Sequence, residues 1–258
     1  MEISSNELFH FTKLEYLKNI LKEKAFYPRY NLEFIHFSKN KNKQAALWAI
    51  PMVCFCDIPY NLSNLHRKRY GNVGIVMSEK WKLKNKLNPV IYVQSESYLA
   101  EAVSNLNGLG INFNSLYNKH NEEPLIIDTL NITGKNLNYL SYFIKQFENK
   151  KELTVDYKIP NNILKPRFEK RRFYDEREWR YIPFQLENKG RDYIHMNIEE
   201  YNNPKKLEEA NELVKNFKLN FEITDIEYIV VETEKDYIKL ESFLKNQDFQ
   251  EIFIKQTK

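Results

Sequence analysis

The stretch DEREWRY at residues 175–181, which leads into an apolar run to Phe184, indicates a strand that carries an acid pair. Glu176 and Glu178 are two residues apart, and residues i and i+2 of a strand share a face, so both carboxylates are predicted to face one cleft. Two like charges this close are tolerated where a cationic ligand, an arginine or developing positive charge meets them. The alternative is an edge strand with a solvated charged face, and the spacing alone leaves both interpretations open.

The composition indicates a folded globular protein. The chain has 258 residues, of which 42% are hydrophobic and 14% aromatic, and this is too much apolar material for a disordered chain. We expect residues 1–258 to form a single elaborated domain. The six glycines include neither a Rossmann nor a P-loop motif. A formal net charge of +4 permits a polyanionic partner without requiring one.

The chain shows no feature of a membrane or secreted protein. No apolar run reaches membrane-spanning length, and the first residues lack the basic start and apolar core of a signal peptide. We therefore expect a cytoplasmic protein without a membrane partner. Cys54 and Cys56 flank Phe55, and a disulfide between them would have poor geometry in a strand, so we expect two buried free thiols. Two cysteines and five scattered histidines suggest no zinc set, and no metal site is predicted.

Strand and helix patterns alternate irregularly along the chain, which predicts the α+β class. Thr12 and Glu15 have the spacing of a capping box, which predicts the start of a helix directly after a first strand. Residues 96–160 are predicted to be a mostly helical insertion, with one helix over residues 136–149. The main strands are predicted over residues 8–11, 52–56, 74–77, 89–93, 179–184 and 226–231.

Three residues outside the acid pair are candidates for a site. His10 lies where a strand meets a helix, and a helix N-terminus favours ligands because it presents free N–H groups. A core histidine is the alternative. Thr12 is either a helix cap or a ligand contact. Tyr70, directly before Gly71, either stacks on a flat ligand ring or belongs to the core.

Several of these stretches, taken in order, resemble the AbiGi-type abortive-infection family. The resemblance is strongest over residues 53–59 and 175–181, and it weakens in the predicted insertion and the C-terminal quarter. It implies a role in bacterial phage resistance, in which this family is described as the antitoxin component. The matching stretches are residues 9–12, 52–59, 70–71, 74–75, 88–90 and 175–181.

At a looser level the layout is similar to the ADP-ribosyltransferase superfamily. A histidine and a threonine follow the first strand, an aromatic-bearing segment lies in the middle, and a Glu-x-Glu strand comes late. This resemblance implies a split mixed or antiparallel β-sheet core with a helical insertion, and NAD as a substrate. Carried over by position, the catalytic residues are Glu178, Glu176 and His10. The residues that bind NAD are His10, Phe11, Thr12 and Tyr70.

Taken together, the two resemblances imply an anti-phage effector that transfers ADP-ribose from NAD to a macromolecule. Breaking the nicotinamide bond builds positive charge on the ribose, and a carboxylate fixed beside it stabilises that charge most in the transition state. A basic stretch before the acid pair suggests a nucleic-acid target, and a solvated loop is the alternative. This stretch consists of Lys165, Arg167, Lys170, Arg171 and Arg172.

Two other classes of function remain open from the sequence. The first is a non-catalytic antitoxin, the binding partner of a separate abortive-infection toxin, which the family resemblance favours. The second is a nuclease, which needs clustered acids to hold Mg²⁺. The acids available for it are Asp57, Asp175, Glu176 and Glu178.

Overall fold

The structure is a computed structural model that describes residues 7–35, 46–105, 124–150, 153–154, 157–159, 162–164, 167–189, 194–247, 249 and 251–256. Within these ranges the helices are α1 (Leu14–Glu23), α2 (Asn64–Tyr70), α3 (Glu79–Lys84), α4 (98–105), α5 (Pro124–Tyr142), α6 (Ile198–Tyr201), α7 (Pro204–Val214) and α8 (Glu234–Asn246). None of these helices has the length and apolar character needed to cross a bilayer.

The strands of the described ranges are mostly short. They are β1 (Leu8–Thr12), β2 (Ala25–Phe26), β3 (Arg29–Ile35), β4 (Ala46–Cys56), β5 (Val73–Met77), β6 (Asn88–Pro89), β7 (Ile91–Val93), β8 (Ile144–Gln146), β9 (Glu148–Asn149), β10 (Leu153–Thr154), β11 (Tyr157–Ile159), β12 (Asn162–Leu164), β13 (Arg167–Phe168), β14 (Arg171–Arg172), β15 (Glu178–Tyr181), β16 (Met196–Asn197), β17 (Leu219–Asn220), β18 (Ile226–Val231) and β19 (Ile254–Gln256).

Nine strands form one mixed sheet, which confirms the α+β class. Its order is β19-β18-β5-β1-β4-β15-β6, and β3 and β16 pair with β4 outside this path. β18 and β19 are parallel, whereas β5, β1, β4 and β15 are antiparallel to their neighbours in turn. Beside this sheet, β7 and β8 form a separate parallel pair.

The long strand β4 organises the sheet because it serves two sets of neighbours. Residues 53–56 pair with β15, whereas residues 46–52 pair with β3. In the described register β1 meets β4 only where Phe9 lies opposite Cys56. β1 and β4 therefore diverge beyond this point.

Side-chain alternation gives the sheet two different faces. On one face, here called the aromatic face, Phe26 and Phe55 pack in a core that α1 and α8 cover. On the other face, here called the acid face, Phe9 and Cys56 lie in register with Glu178. The acid pair is thus separated by the sheet from the large aromatic core.

The predicted capping box at the start of α1 is wrong. Thr12 belongs to β1, where it pairs with Val73, and the N-cap of α1 is Lys13, which makes no side-chain capping hydrogen bond. The backbone of Thr12 packs instead against Gly71, where an added Cβ would lie 2.1 Å from the Thr12 carbonyl oxygen. Gly71 has a φ of +134°, so glycine alone fits without strain and holds the end of α2 against the end of β1.

The region predicted as a mostly helical insertion, residues 96–160, contains strands as well as helices. The predicted helix over residues 136–149 ends at Tyr142, and β8 begins two residues later. Ile144 and Gln146 are buried on one side of β8, and alternation directs Lys145 between them to the acid face. The segment 106–123 of this region lies outside the described residues.

Candidate functional site

A tight turn presents the acid pair at the start of β15. The turn Phe173–Glu176 is followed by Arg177 in the left-handed conformation, with a φ of 44°. The Asp57 carboxylate accepts hydrogen bonds from Arg177 Nε at 2.6 Å and from Arg177 Nη2 at 3.2 Å. The backbone N–H of Asp57 donates to the Arg177 carbonyl oxygen at 3.3 Å. This bidentate pair ties the end of β4 to the turn.

Glu178 is buried on the acid face and fully engaged by cations of its own chain. Its Oε1 accepts a hydrogen bond from Arg180 Nε at 2.7 Å, and its Oε2 accepts one from Lys145 Nζ at 2.8 Å. The Glu178 side chain is 7% exposed. Both carboxylate oxygens therefore have partners inside the protein.

Glu178 belongs to a larger set of charges, here called the buried ion cluster. Lys145 Nζ also donates to Glu176 Oε2 at 3.0 Å, and Arg171 pairs with the same carboxylate. Glu33 Oε1 lies 3.1 Å from Arg180 Nη2 and 3.9 Å from Lys145 Nζ. Three acids and three bases thus balance one another. They are Glu33, Glu176, Glu178, Lys145, Arg171 and Arg180.

Burial and the neighbouring charges shift the pKa values of Glu178 and Glu176 in opposite directions. Burial disfavours the charge on Glu178, but Arg180 and Lys145 outweigh it and hold the pKa of Glu178 well below its usual range. Burial also opposes the charge on Lys145, yet Glu178, Glu33 and Glu176 raise the pKa of Lys145 well above its ordinary value. For Glu176 burial prevails over Lys145 and raises the pKa. Glu176 is therefore the acid that takes up a proton more readily.

His10, which the resemblance makes a catalytic residue together with Glu178, lies on the aromatic face. Its ring centroid is 5.1 Å from that of Phe26 and 5.4 Å from that of Phe55. Its Nδ1 lies 2.8 Å from the Cys54 carbonyl oxygen, at the point where β1 and β4 diverge. Because a carbonyl oxygen only accepts, the Nδ1 of His10 carries the hydrogen and donates it. Burial lowers the pKa of His10, which favours the neutral ring. The strand register thus puts the His10 and Glu178 side chains on opposite sides of the sheet.

Phe11 and Tyr70, two of the predicted NAD contacts, come together on the acid face. His66 lies between them, with ring centroids 5.6 Å from Phe11 and 4.5 Å from Tyr70. The Tyr70 hydroxyl accepts a hydrogen bond from Arg171 Nη2 at 3.0 Å, and Arg171 in turn pairs with Glu176. A continuous series of contacts therefore links Tyr70 to the acid pair.

Sequence reasoning does not identify the cations that neutralise the acids. Arg180 stands two residues after Glu178 in the same strand, and this spacing is a usable signal for a same-face partner. Lys145 lies in a segment with a helical pattern, and Glu33 lies in a strand that the sequence does not predict. No local pattern marks Lys145 or Glu33 as a member of the site.

The acids considered for magnesium have other partners. Asp57 pairs with Arg177, and Asp175 Oδ1 lies 3.4 Å from Arg172 Nε at the surface. Within the ranges that the structure describes, no three His, Cys, Asp or Glu side chains lie where they could hold a metal ion. The geometry therefore gives the nuclease interpretation no support.

Cys54 and Cys56 are free thiols. Cys56 is buried, and burial raises its pKa to about 12. Cys54 is half-buried, and burial raises its pKa well above the ordinary value, with a further contribution from Glu178. Neither thiol has the character of a reactive cysteine.

A cleft of about 500 Å³ opens beside the buried ion cluster. Of the basic stretch before the acid pair, three members line this cleft, whereas Lys165 and the side chain of Arg167 lie outside the described residues. The cleft is lined by Glu148, Asn149, Lys150, Lys170, Arg171 and Arg172.

Fold and site together define an α+β protein in which one mixed sheet carries a buried, charge-compensated cluster. The chain belongs to the AbiGi family: the family described as "Putative abortive phage resistance protein AbiGi, antitoxin" matches residues 24–232. The chain is 29% identical over 240 residues to the abortive phage resistance protein AbiGi of Lactococcus lactis subsp. cremoris, and the alignment covers 86% of this chain and 88% of that relative. No solved structure matches the chain. The protein is therefore a member of an anti-phage defence family, as its sequence stretches indicated.

Proposed function

We propose that this protein is a non-catalytic antitoxin, which binds and neutralises a cognate toxin in anti-phage defence. One observation carries the proposal. The two oxygens of the Glu178 carboxylate accept hydrogen bonds from Arg180 and Lys145 at 2.7 and 2.8 Å, so the residue best placed to act as a catalytic acid is already neutralised.

The chemistry of ADP-ribose transfer requires the opposite arrangement. A carboxylate that stabilises positive charge on the ribose must contact the ribose and must keep its own charge available in the transition state. Lys145 and Arg180 occupy that place beside Glu178, and their charges would repel a cationic ribose. A balanced buried cluster fits a structural role, because loss of any member leaves an unpaired buried charge.

The family description favours the same function, since it names the family an antitoxin. An antitoxin of this kind needs a stable shape and a contact surface, and it needs no substrate pocket. The partner that this proposal implies is the toxin of the same abortive-infection system.

Co-expression with that toxin tests the proposal. The toxin alone should arrest growth, co-expression of the full chain should restore growth, and the two proteins should elute as one complex in size-exclusion chromatography. The chain alone should neither slow growth nor consume NAD. Growth arrest by the chain alone, or label transfer from NAD to protein, RNA or DNA in a cell extract, would contradict the proposal.

ADP-ribose transfer from NAD to a macromolecular target is the second candidate, within a split-sheet transferase-like fold. One observation favours it: Tyr70, Arg171 and Glu176 form a linked series on one face, which places an aromatic ring near an acid. If this function is correct, Glu178→Gln should lower the transfer rate by roughly two or more orders of magnitude. Glu241→Gln, at an exposed acid on α8, is the matched control and should leave the rate unchanged.

A further inference from the structure

Two basic stretches that are far apart in sequence meet at the edge of the acid face. Lys68 and Arg69 lie at the end of α2, and Arg171 belongs to β14. The hydrogen bond from Arg171 to the Tyr70 hydroxyl spans 101 positions, and Arg69 Nη2 lies 3.6 Å from the Glu169 carboxylate. These contacts join the end of α2 to the cleft of about 500 Å³.

Cations outnumber acids on this joined surface. The Lys150 and Arg172 side chains are 78% and 54% exposed. Among the described residues, Lys170 has no carboxylate within ion-pair distance, so its charge is available to a ligand. Arg69, Lys150 and Arg172 each have an acid within 4.0 Å, but these pairs lie at the surface, where solvent weakens them. Arg171 is not counted, because its side chain is only 18% exposed and pairs with the buried Glu176. The exposed cations are Arg69, Lys150, Lys170 and Arg172, and the acids beside them are Glu148, Glu169 and Asp175.

Two exposed tyrosines stand among these cations. Tyr174 is 49% exposed and Tyr70 is 43% exposed. The Tyr174 ring stacks on Phe147 with centroids 4.9 Å apart and meets Tyr92 edge-on at 5.5 Å. The Arg172 guanidinium lies 5.7 Å from the Tyr174 ring centroid. Packing therefore holds the Tyr174 ring in place while a large part of it remains open to a ligand.

We infer that this basic–tyrosine surface, formed by Tyr70, Tyr174 and the four exposed cations, binds single-stranded nucleic acid. Proteins bind single strands with cations that follow the phosphates and with aromatic rings on which bases stack. Duplexes keep their base faces covered, and an acidic peptide would use the cations but would gain little from exposed ring faces. The inference does not depend on the antitoxin proposal, because the chain can be assayed without any toxin.

Fluorescence anisotropy with the full chain tests the inference. The probes are labelled RNA and DNA single strands of about 16 nucleotides and a duplex of the same sequence. Each phosphate contact contributes a slope of about −0.7 to the plot of log affinity against log salt for single strands, so four cations predict about −2.8. Single-strand affinity should therefore fall by about 50-fold between 50 and 200 mM salt. The duplex should bind more weakly, and the stronger of the two single strands identifies the type of nucleic acid.

Substitutions separate the contributions of charge and stacking. Arg69→Ala and Lys170→Ala, one in each stretch, should each weaken binding and flatten the salt slope by about 0.7. Tyr174→Ala should weaken single-strand binding by roughly 5- to 150-fold without changing the slope, and Tyr174→Phe should bind like wild type. Lys205→Ala, at an exposed lysine on α7, is the control and should change nothing. Thermal melts establish that each variant is folded.

Three results would overturn the inference. The first is duplex binding as tight as single-strand binding, and the second is wild-type affinity in both the Arg69→Ala and the Lys170→Ala variant. The third is binding of poly-glutamate without binding of any oligonucleotide, which would assign the surface to an acidic protein partner. The antitoxin proposal would survive each of these results, since it depends on rescue from the toxin.

Discussion

Replacing Lys145 by methionine removes one charge from the buried ion cluster and keeps the length of the side chain. Lys145 Nζ contacts Glu178 at 2.8 Å and Glu176 at 3.0 Å, so the variant leaves three buried acids against two arginines. Breaking a buried ion pair costs about 3–5 kcal/mol. Because two carboxylates each lose a hydrogen bond from Lys145, the cost for this variant should lie at the upper end of that range. That is a large part of the about 5–15 kcal/mol that stabilises a domain. Urea unfolding at neutral pH, followed by circular dichroism, measures the loss.

The pH dependence of the same variant tests whether the loss is electrostatic. Burial already raises the pKa of Glu176, and Lys145 opposes this rise, so Lys145→Met should raise the pKa of Glu176 further. A pKa that is higher in the folded than in the unfolded state stabilises the fold as pH falls. The free energy of unfolding that Lys145→Met loses relative to wild type should therefore be about 1–2 kcal/mol smaller at about pH 5 than at about pH 7.

A double variant and a surface control complete the test. Lys145→Met leaves one negative charge in excess in the cluster. Adding Glu176→Gln removes this excess and should restore about 2 kcal/mol. Lys245→Met breaks an exposed pair with Glu241, whose charged atoms are 3.2 Å apart, and should cost less than about 1 kcal/mol. The cluster does not hold the site together as described if Lys145→Met loses as little free energy of unfolding as Lys245→Met. The same conclusion follows if the double variant is no more stable than Lys145→Met.

Burial lowers the pKa of His195 to about 4, below the ordinary value of 6.5. Between these two values the unfolded chain binds a proton that the folded chain excludes, so the free energy of unfolding falls as the pH drops. His195→Gln should remove about 3 kcal/mol of that fall in urea unfolding, and an unchanged pH profile would contradict the assignment. Gly71→Ala should cost at least about 2 kcal/mol of the free energy of unfolding, because its Cβ would lie 2.1 Å from a backbone oxygen at a φ of +134°. Gly74→Ala should cost less, since its Cβ would meet only side-chain atoms, at 2.9 Å. Cys54 and Cys56 should react slowly with a bulky thiol reagent in the native protein and quickly in urea, and rapid labelling of both native thiols would contradict their raised pKa values.

Local patterns predict much of the central sheet. The strands expected over residues 8–11, 52–56, 74–77 and 226–231 lie in β1, β4, β5 and β18, because apolar β-branched and aromatic runs fit a buried strand. Local patterns predict the wrong secondary structure where a contact with a distant part of the chain determines it. Residues 144–146 have a helical pattern, yet they form a strand because β7 is available to pair with them.

By itself, the sequence determined that Arg180 follows Glu178 on the same face of a strand, because alternation is a property of the local backbone. Glu176 lies near Glu178 for another reason, since it belongs to the turn Phe173–Glu176 and not to the strand. Only the tertiary structure decided what these acids face. Lys145 reaches Glu178 across 33 positions of sequence, which no local spacing specifies. His10 lies on the opposite face because β1 and β4 meet with Phe9 opposite Cys56, and a shift of one residue in that register would reverse its face. Strand pairing, which is set by distant parts of the chain, thus makes the difference between an acid free to act on a substrate and one that is neutralised within the fold.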